Sequence, residues 1–485
     1  MKNNFIKRSL GILTLCLLLS TACENGFDEL NQNPNAPADA PAAFVLPGAL
    51  VDLSYRVDYQ MPINYIGLWV QQHASGAYPE EDQYSPRLND LDVYWNNLYD
   101  NSMKDFRHII DKGTPNEVAV AKIMNAYGFM VLTDIWGDIP YSQALQAEKG
   151  DGFLTPTFDT QEAVYDGILQ DLDDAVTSID ISSIDGFAEA DLIYGGDMEL
   201  RIKFANSLRL RAFMHLSEVA PEKAKAGVVA MLEKPLLSAH DESPAIHYSD
   251  VSGNRNPISS RFSGRPNDFR ASKSMVDRLI GSGDATNPAD PRTEVYVQRN
   301  IDGIFVGVPN GVNGLGDVGL DNATSCKFGT SFLAADAAAY FMTYTEVEFI
   351  RAEAAIRGWI ADDAQTAYEA AIRASMSQHG ITDETAINTF LADANVAYDA
   401  SKALQLVSEQ KWIALFGQAL ESWTNFRRTG YPELPIALND QNNGVFPQRF
   451  MYPSVETATN GDNVAAATQN QGGAELGDKL WWDAD

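Results

Sequence analysis

Cys23 has the most definite chemistry in this chain. Its thiol directly follows Ser20-Thr21-Ala22, the small residues that close an apolar stretch running from Leu10 to Leu19. Lys2, Lys7 and Arg8 precede that stretch. A positive start, a short apolar run and a small-residue end make up a secretory signal. The run is too short for a membrane span, which takes about 20 apolar residues. A cysteine placed directly after the small residues is the layout of a bacterial lipoprotein signal, in which Cys23 is acylated and becomes the mature N-terminus. On this reading residues 1–22 are a signal peptide and 23–41, rich in Asn, Pro and acids, are a lipid-anchored tether. Residues 42–485 then form a single domain, ordered from near Phe44. Cys16 leaves with the signal and Cys23 carries lipid, so Cys326 has no intrachain disulfide partner.

A second chemistry belongs to aromatic side chains in stretches without a period. Tyr78, Tyr84 and Arg87 lie in one such stretch, and Phe262, Arg265 and Phe269 in another. The apolar faces of a sugar stack on aromatic rings while neighbouring polar groups hydrogen-bond its hydroxyls. These six residues are therefore the candidate ligand contacts. Trp95, Trp136, Trp412 and Trp423 fall in helical patterns and are expected in the core.

Other chemistries lack their residues. There is no P-loop, no Gly-x-Ser-x-Gly and no His-Glu-x-x-His. Gly314-x-Gly316-x-x-Gly319 has no preceding strand and is expected to be a turn-rich loop. The six histidines show no metal-ligand spacing, and His215 is expected to be a packed or surface residue of a helix. The 66 carboxylates are too many for any one pair to indicate glycoside hydrolysis. A formal net charge of −31 repels nucleic acid and anionic headgroups. No cofactor and no metal is expected.

The elements that must position these groups are mainly helices. Residues 117–135 are apolar on every face and predict a buried helix. In 162–179, Val164, Ile168, Leu172, Ala175 and Ile179 share one face, with Asp159 and Glu162 as a capping box. Helices are also predicted over 199–218, 268–280, 343–357 (Thr345 to Glu348 as the start, Gly358 as the stop), 363–378 and 403–427. Ala364-x-x-x-Tyr368-x-x-Ala371 has the spacing of the second half of a tetratricopeptide repeat. Residues 235–270, 285–335 and 435–478 are irregular. The fold class is mainly α, with degenerate repeat-like helix pairs as a scaffold and a long-loop half that binds ligand.

Several blocks together resemble one family. They are Asp134-Ile135-Trp136-Gly137-Asp138-Ile139-Pro140-Tyr141-Ser142, Glu346 to Ala355 with Gly358-Trp359, Gln410 to Phe416, Trp423, and Arg427-Arg428-Thr429-Gly430-Tyr431-Pro432. Asn206 to Arg211, Asp290-Pro291-Arg292 and Arg449 to Pro453 complete the set. In this order they resemble the SusD/RagB nutrient-binding outer-membrane lipoproteins. The resemblance implies four tetratricopeptide-like helix pairs and a non-catalytic protein. It also implies a SusC-like TonB-dependent transporter as partner, with the lipoprotein as its lid. Members usually bind oligosaccharides and some handle peptides. The acids Glu24, Asp28 and Glu29 are similar to the export signal of lipoproteins that face the cell exterior. A peptide-binding lid and a lipid-anchored glycoside hydrolase are the alternatives. The first predicts a groove of backbone hydrogen bonds, the second two apposed carboxylates in an aromatic cleft.

Overall fold

The computed structural model describes residues 40–183 and 188–483. Cys23 and most of the tether lie outside them. From Ala42 onward the chain forms one compact unit.

Helix α1 (Ala42–Ser54) opens it. The chain then winds on through two widened, π-type stretches, Tyr55–Gln60 and Pro62–Ile66. Four consecutive helix pairs supply the scaffold: α2 (Pro115–Trp136) with α3 (Gln161–Ser178), α4 (Met198–His215) with α5 (Pro221–Leu232), α6 (Tyr344–Ile356) with α7 (Ala364–Gln378), and α8 (Ala403–Ala414) with α9 (Ala419–Thr429). Each pair touches the next. Helix α2 is long and apolar enough to cross a membrane, yet it is a core helix, 89% buried over its most apolar window. All four helical tryptophans are buried, and so is Trp69.

The pairs are joined through buried charges. Asp134 on α2 accepts from the Tyr165 hydroxyl on α3. His215 on α4 stands 2.9 Å from that hydroxyl and 3.0 Å from Glu421 on α9. Glu421 also accepts from Lys411 on α8 at 2.9 Å. Burial pushes the Glu421 carboxyl up, but Lys411, His215 and Arg211 hold it well below the usual range. His215 is thus a member of an interior polar chain, which sequence spacing did not reveal.

Several predicted boundaries are corrected. The cap of α3 is Thr160, whose hydroxyl accepts from the Ala163 amide, because Asp159 is engaged by the Tyr141 and Ser142 amides. The cap of α6 is Thr343 rather than Thr345, whose hydroxyl reaches Gln378 on the partner helix. The 403–427 pattern is two helices, broken where Gly417 takes φ +85°. Residues 269–272 are extended, and the helix there begins at Lys273. The 435–478 tail holds a helix, Gly461–Gln471.

Residues 233–343 carry most of the irregular half. Strands are few and short. β1 (His73–Ser75) pairs antiparallel with β3 (Phe269–Ala271), and β2 (Ala245–Ile246) with β4 (Ala339–Tyr340). Cys326 is buried and free among the described residues.

Candidate ligand-binding cleft

The pairing of β1 with β3 brings together two segments that are remote in sequence. Ala74 lies opposite Arg270, and Ser75 opposite Phe269. Gly76 continues the pairing by donating to the Asp268 carbonyl at 2.7 Å. A Cβ at Gly76 would lie 2.4 Å from the Asn267 carbonyl oxygen, so only glycine permits this approach. Beneath it, Asp82 accepts from the Ser75 amide at 3.0 Å and from Asn310 at 2.8 Å. Burial pushes the Asp82 carboxyl up to about 6. After the strand, the Ser75 hydroxyl and Tyr78 exchange two hydrogen bonds that fix the turn. Tyr78 then stands beside Arg265, whose Nη1 donates to its hydroxyl at 3.3 Å.

The result is one wall of an open cleft of about 430 Å³. Ligand pockets fall roughly between 300 and 1,000 Å³. The opposite wall is the widened helical stretch. There Tyr55 and Tyr59, four residues apart, share a face with ring centroids 5.0 Å apart. Gln60, Asn64 and Tyr65 continue that wall, and Arg87, Arg261 and Arg265 close it.

Charge in the cleft is balanced, although the chain is strongly acidic. Arg87 pairs with Glu81 at 2.7 Å and Arg261 with Asp268 at 2.8 Å. Asp268 is also 3.9 Å from Arg265. Asp90 accepts from the Tyr65 hydroxyl at 2.6 Å. Burial pushes the Glu81 carboxyl up, and a backbone hydrogen bond and Arg87 draw it only part of the way back. With Asp268 behind the lining, the three arginines face three carboxylates, and the cleft offers stacking rings and many hydrogen-bonding groups with its charges balanced.

Of the six candidates from sequence, three meet here. Tyr78 is 36% exposed and faces the cleft with Arg87 and Arg265. The other three lie buried outside it. Tyr84, 2% exposed, packs on Phe446, and its hydroxyl accepts from the Ala437 amide at 3.0 Å. Phe262 and Phe269, 6% and 3% exposed, pack on each other, Phe262 also on Phe328 and Phe269 on His73. Phe269 acts from behind, lying under the Arg261 guanidinium at 5.0 Å. Sequence reasoning missed Tyr55, Tyr59, Asn64, Tyr65 and Arg261. The i, i+4 spacing of Tyr55 and Tyr59 is the one signal that pointed to a shared face.

The sequence profile of the family SusD-like_2, described as starch-binding and associating with outer membrane, matches residues 34–453. The chain belongs to this SusD-like family. Solved structures agree. A chitin-binding protein superposes with TM-score 0.81 at 27% identity, over 92% of this chain and 100% of its own. A chitin-binding SusD homolog from Flavobacterium johnsoniae gives 0.77 at 26%, over 92% and 98%. A SusD-like protein from Bacteroides thetaiotaomicron gives 0.77 at 25%, over 91% and 99%. No curated protein matches the chain by sequence. The mainly helical scaffold described above is the SusD-like fold.

Proposed function

We propose that this SusD-like chain captures a neutral oligosaccharide in the cleft and passes it on without covalent change. The observation that carries this reading is the convergence of Tyr55, Tyr59 and Tyr78 with Asn64, Arg87, Arg261 and Arg265 around one open volume. Rings supply faces for sugar rings, and the fixed polar groups supply partners for hydroxyls. The balanced charge favours a ligand without charge. The names of two similar structures, both chitin-binding, support a glycan. Glycosidase chemistry would need a carboxyl free to donate a proton. The carboxylates in and beside the cleft are paired, Glu81 with Arg87, Asp90 with Tyr65 and Asp268 with Arg261.

In the same proposal, Cys23 carries lipid, the protein is held on the outer membrane facing outward, and a SusC-like TonB-dependent barrel receives the ligand. The family's description as associating with outer membrane supports this placement.

The test is calorimetric titration of the mature protein with chito- and malto-oligosaccharides. Binding of one series that is lost in the Tyr55→Ala/Tyr59→Ala double variant is the expected result. Full binding by that variant would move the site elsewhere. Shortening of the oligosaccharide during the titration would overturn the non-catalytic reading.

A further inference from the structure

The two segments that wall the cleft, Tyr55–Gln60 and the Pro257–Gly264 helix, also wall a second chamber. Tyr55, Tyr59 and Arg261 face the cleft, whereas Asp58 and Ile258 face the chamber. It is a partly open pocket of about 190 Å³, against phenyl rings from Phe332 and Phe416 and the phenol of Tyr340. That is room for a small organic molecule, not only a single water.

Asp58 is the unusual group. Neither carboxylate oxygen has a hydrogen bond or ion pair within the described residues; Oδ2 is sealed from solvent, while the residue as a whole is half-buried. A buried polar atom is nearly always partnered, and an unpartnered charge is costly. The chamber's other polar groups, Asn256, Ser331, Tyr340, Gln378, His379 and Gln418, make no hydrogen bond to it. Asn256 is committed, capping the Pro257–Gly264 helix through Oδ1 and donating to the Ala337 carbonyl through Nδ2. Burial pushes His379 down to about 4, so it brings no positive charge at neutral pH.

Burial alone pushes the Asp58 carboxyl up to about 7, and a donor that brings its own positive charge would both partner it and hold it ionised. A metal ion fits poorly, since hard cations take six or more oxygen ligands and a single carboxylate is present. No group of three metal-ligating side chains occurs among the described residues. An organic ammonium fits: a carboxylate takes its N–H groups, and aromatic faces attract the cation and cover its apolar flank. We propose that this chamber is a second binding site, for a small molecule bearing a protonated amine. Asp58 holds the ammonium, and Phe332, Phe416 and Tyr340 surround the carbon next to it.

Saturation-transfer NMR on the mature protein tests this, with glucosamine and ethanolamine as probes and glucose as the neutral control. At least one amine binds the wild type more tightly than glucose. Asp58→Asn, which keeps the shape and removes the charge, weakens the amine tenfold or more. Ala338→Leu, which fills the chamber, abolishes the signal and keeps the test valid should Asp58→Asn fail to fold. Tyr78→Ala, which alters only the cleft, leaves amine binding unchanged. The proposal is overturned if neither amine exceeds glucose, or if a folded Asp58→Asn binds the amine like wild type. It is equally overturned if Tyr78→Ala removes the amine signal, since the amine then sits in the oligosaccharide cleft.

Discussion

Arg428 places its two terminal nitrogens on the two carboxylate oxygens of Glu353, each at 2.6 Å, in the interior between α6 and α9. Ser217 and Asn425 meet the same guanidinium, and Arg357 meets Glu353 at 2.8 Å. Burial raises the Glu353 carboxyl, but Arg428 and Arg357 outweigh it and hold the group at about 2, below its ordinary 4.5. Because the folded value is depressed, the stability from this carboxylate is complete above 4.5 and is lost as pH falls from there toward 2. Glu353→Gln should cost about 3–5 kcal/mol at neutral pH, by leaving a buried guanidinium without its counter-charge. Its melting temperature should also fall less steeply than wild type between pH 4.5 and 2. Parallel acid slopes for the two proteins would contradict the assignment.

The cleft tyrosines and the buried aromatics should separate in a mutational series. Tyr78→Ala should weaken oligosaccharide binding about tenfold, from an aromatic contact of about 1–3 kcal/mol, with little change in melting temperature. Phe262→Ala and Phe269→Ala should instead lose about 3–5 kcal/mol of stability, as buried phenylalanines do. Calorimetry and thermal melts on the same samples distinguish the two classes.

Gly76→Ala should damage the cleft without touching any lining side chain. Its methyl would collide with the Asn267 carbonyl and push β1 away from β3. Tyr78 then separates from Arg265. Oligosaccharide affinity should drop and the melting temperature with it. Wild-type affinity in this variant would show that the strand contact does not set the cleft.

Cys23→Ala should release the protein from membranes or leave its precursor uncleaved. Fractionation and N-terminal sequencing check this. An unchanged N-terminus on protein that still needs detergent for extraction would rule out acylation at Cys23.

Most of the scaffold was legible because its signals are local. Asp363 caps α7 through the Thr366 amide, and Gly358, at φ +67°, stops α6. Where the reading slipped, a distant partner had claimed the local residue. Thr345 looks like a cap, but Gln378 takes its hydroxyl. In the cleft the same limit is sharper. Tyr78 and Tyr84 share a segment and a composition. One is covered by Phe446 and Ala437, more than 350 residues on, and the other is not. Tyr55 and Tyr59 precede the apolar run from Met61 to Val70, so composition alone makes them core. Only the third dimension separates a ring that packs from a ring that waits.

The contact between Tyr78 and Arg265 closes a loop of 187 residues. Contacts this distant carry a large closure entropy and are slow to form unless other structure has already shortened the path. The α2–α3 and α4–α5 pairs lie between them and can form from nearby sequence. The cleft is therefore among the last parts to mature, and on the proposed function ligand binding would double as a certificate of complete folding. A chain with its helices formed but strands β1 and β3 still apart would have no complete cleft and would capture nothing.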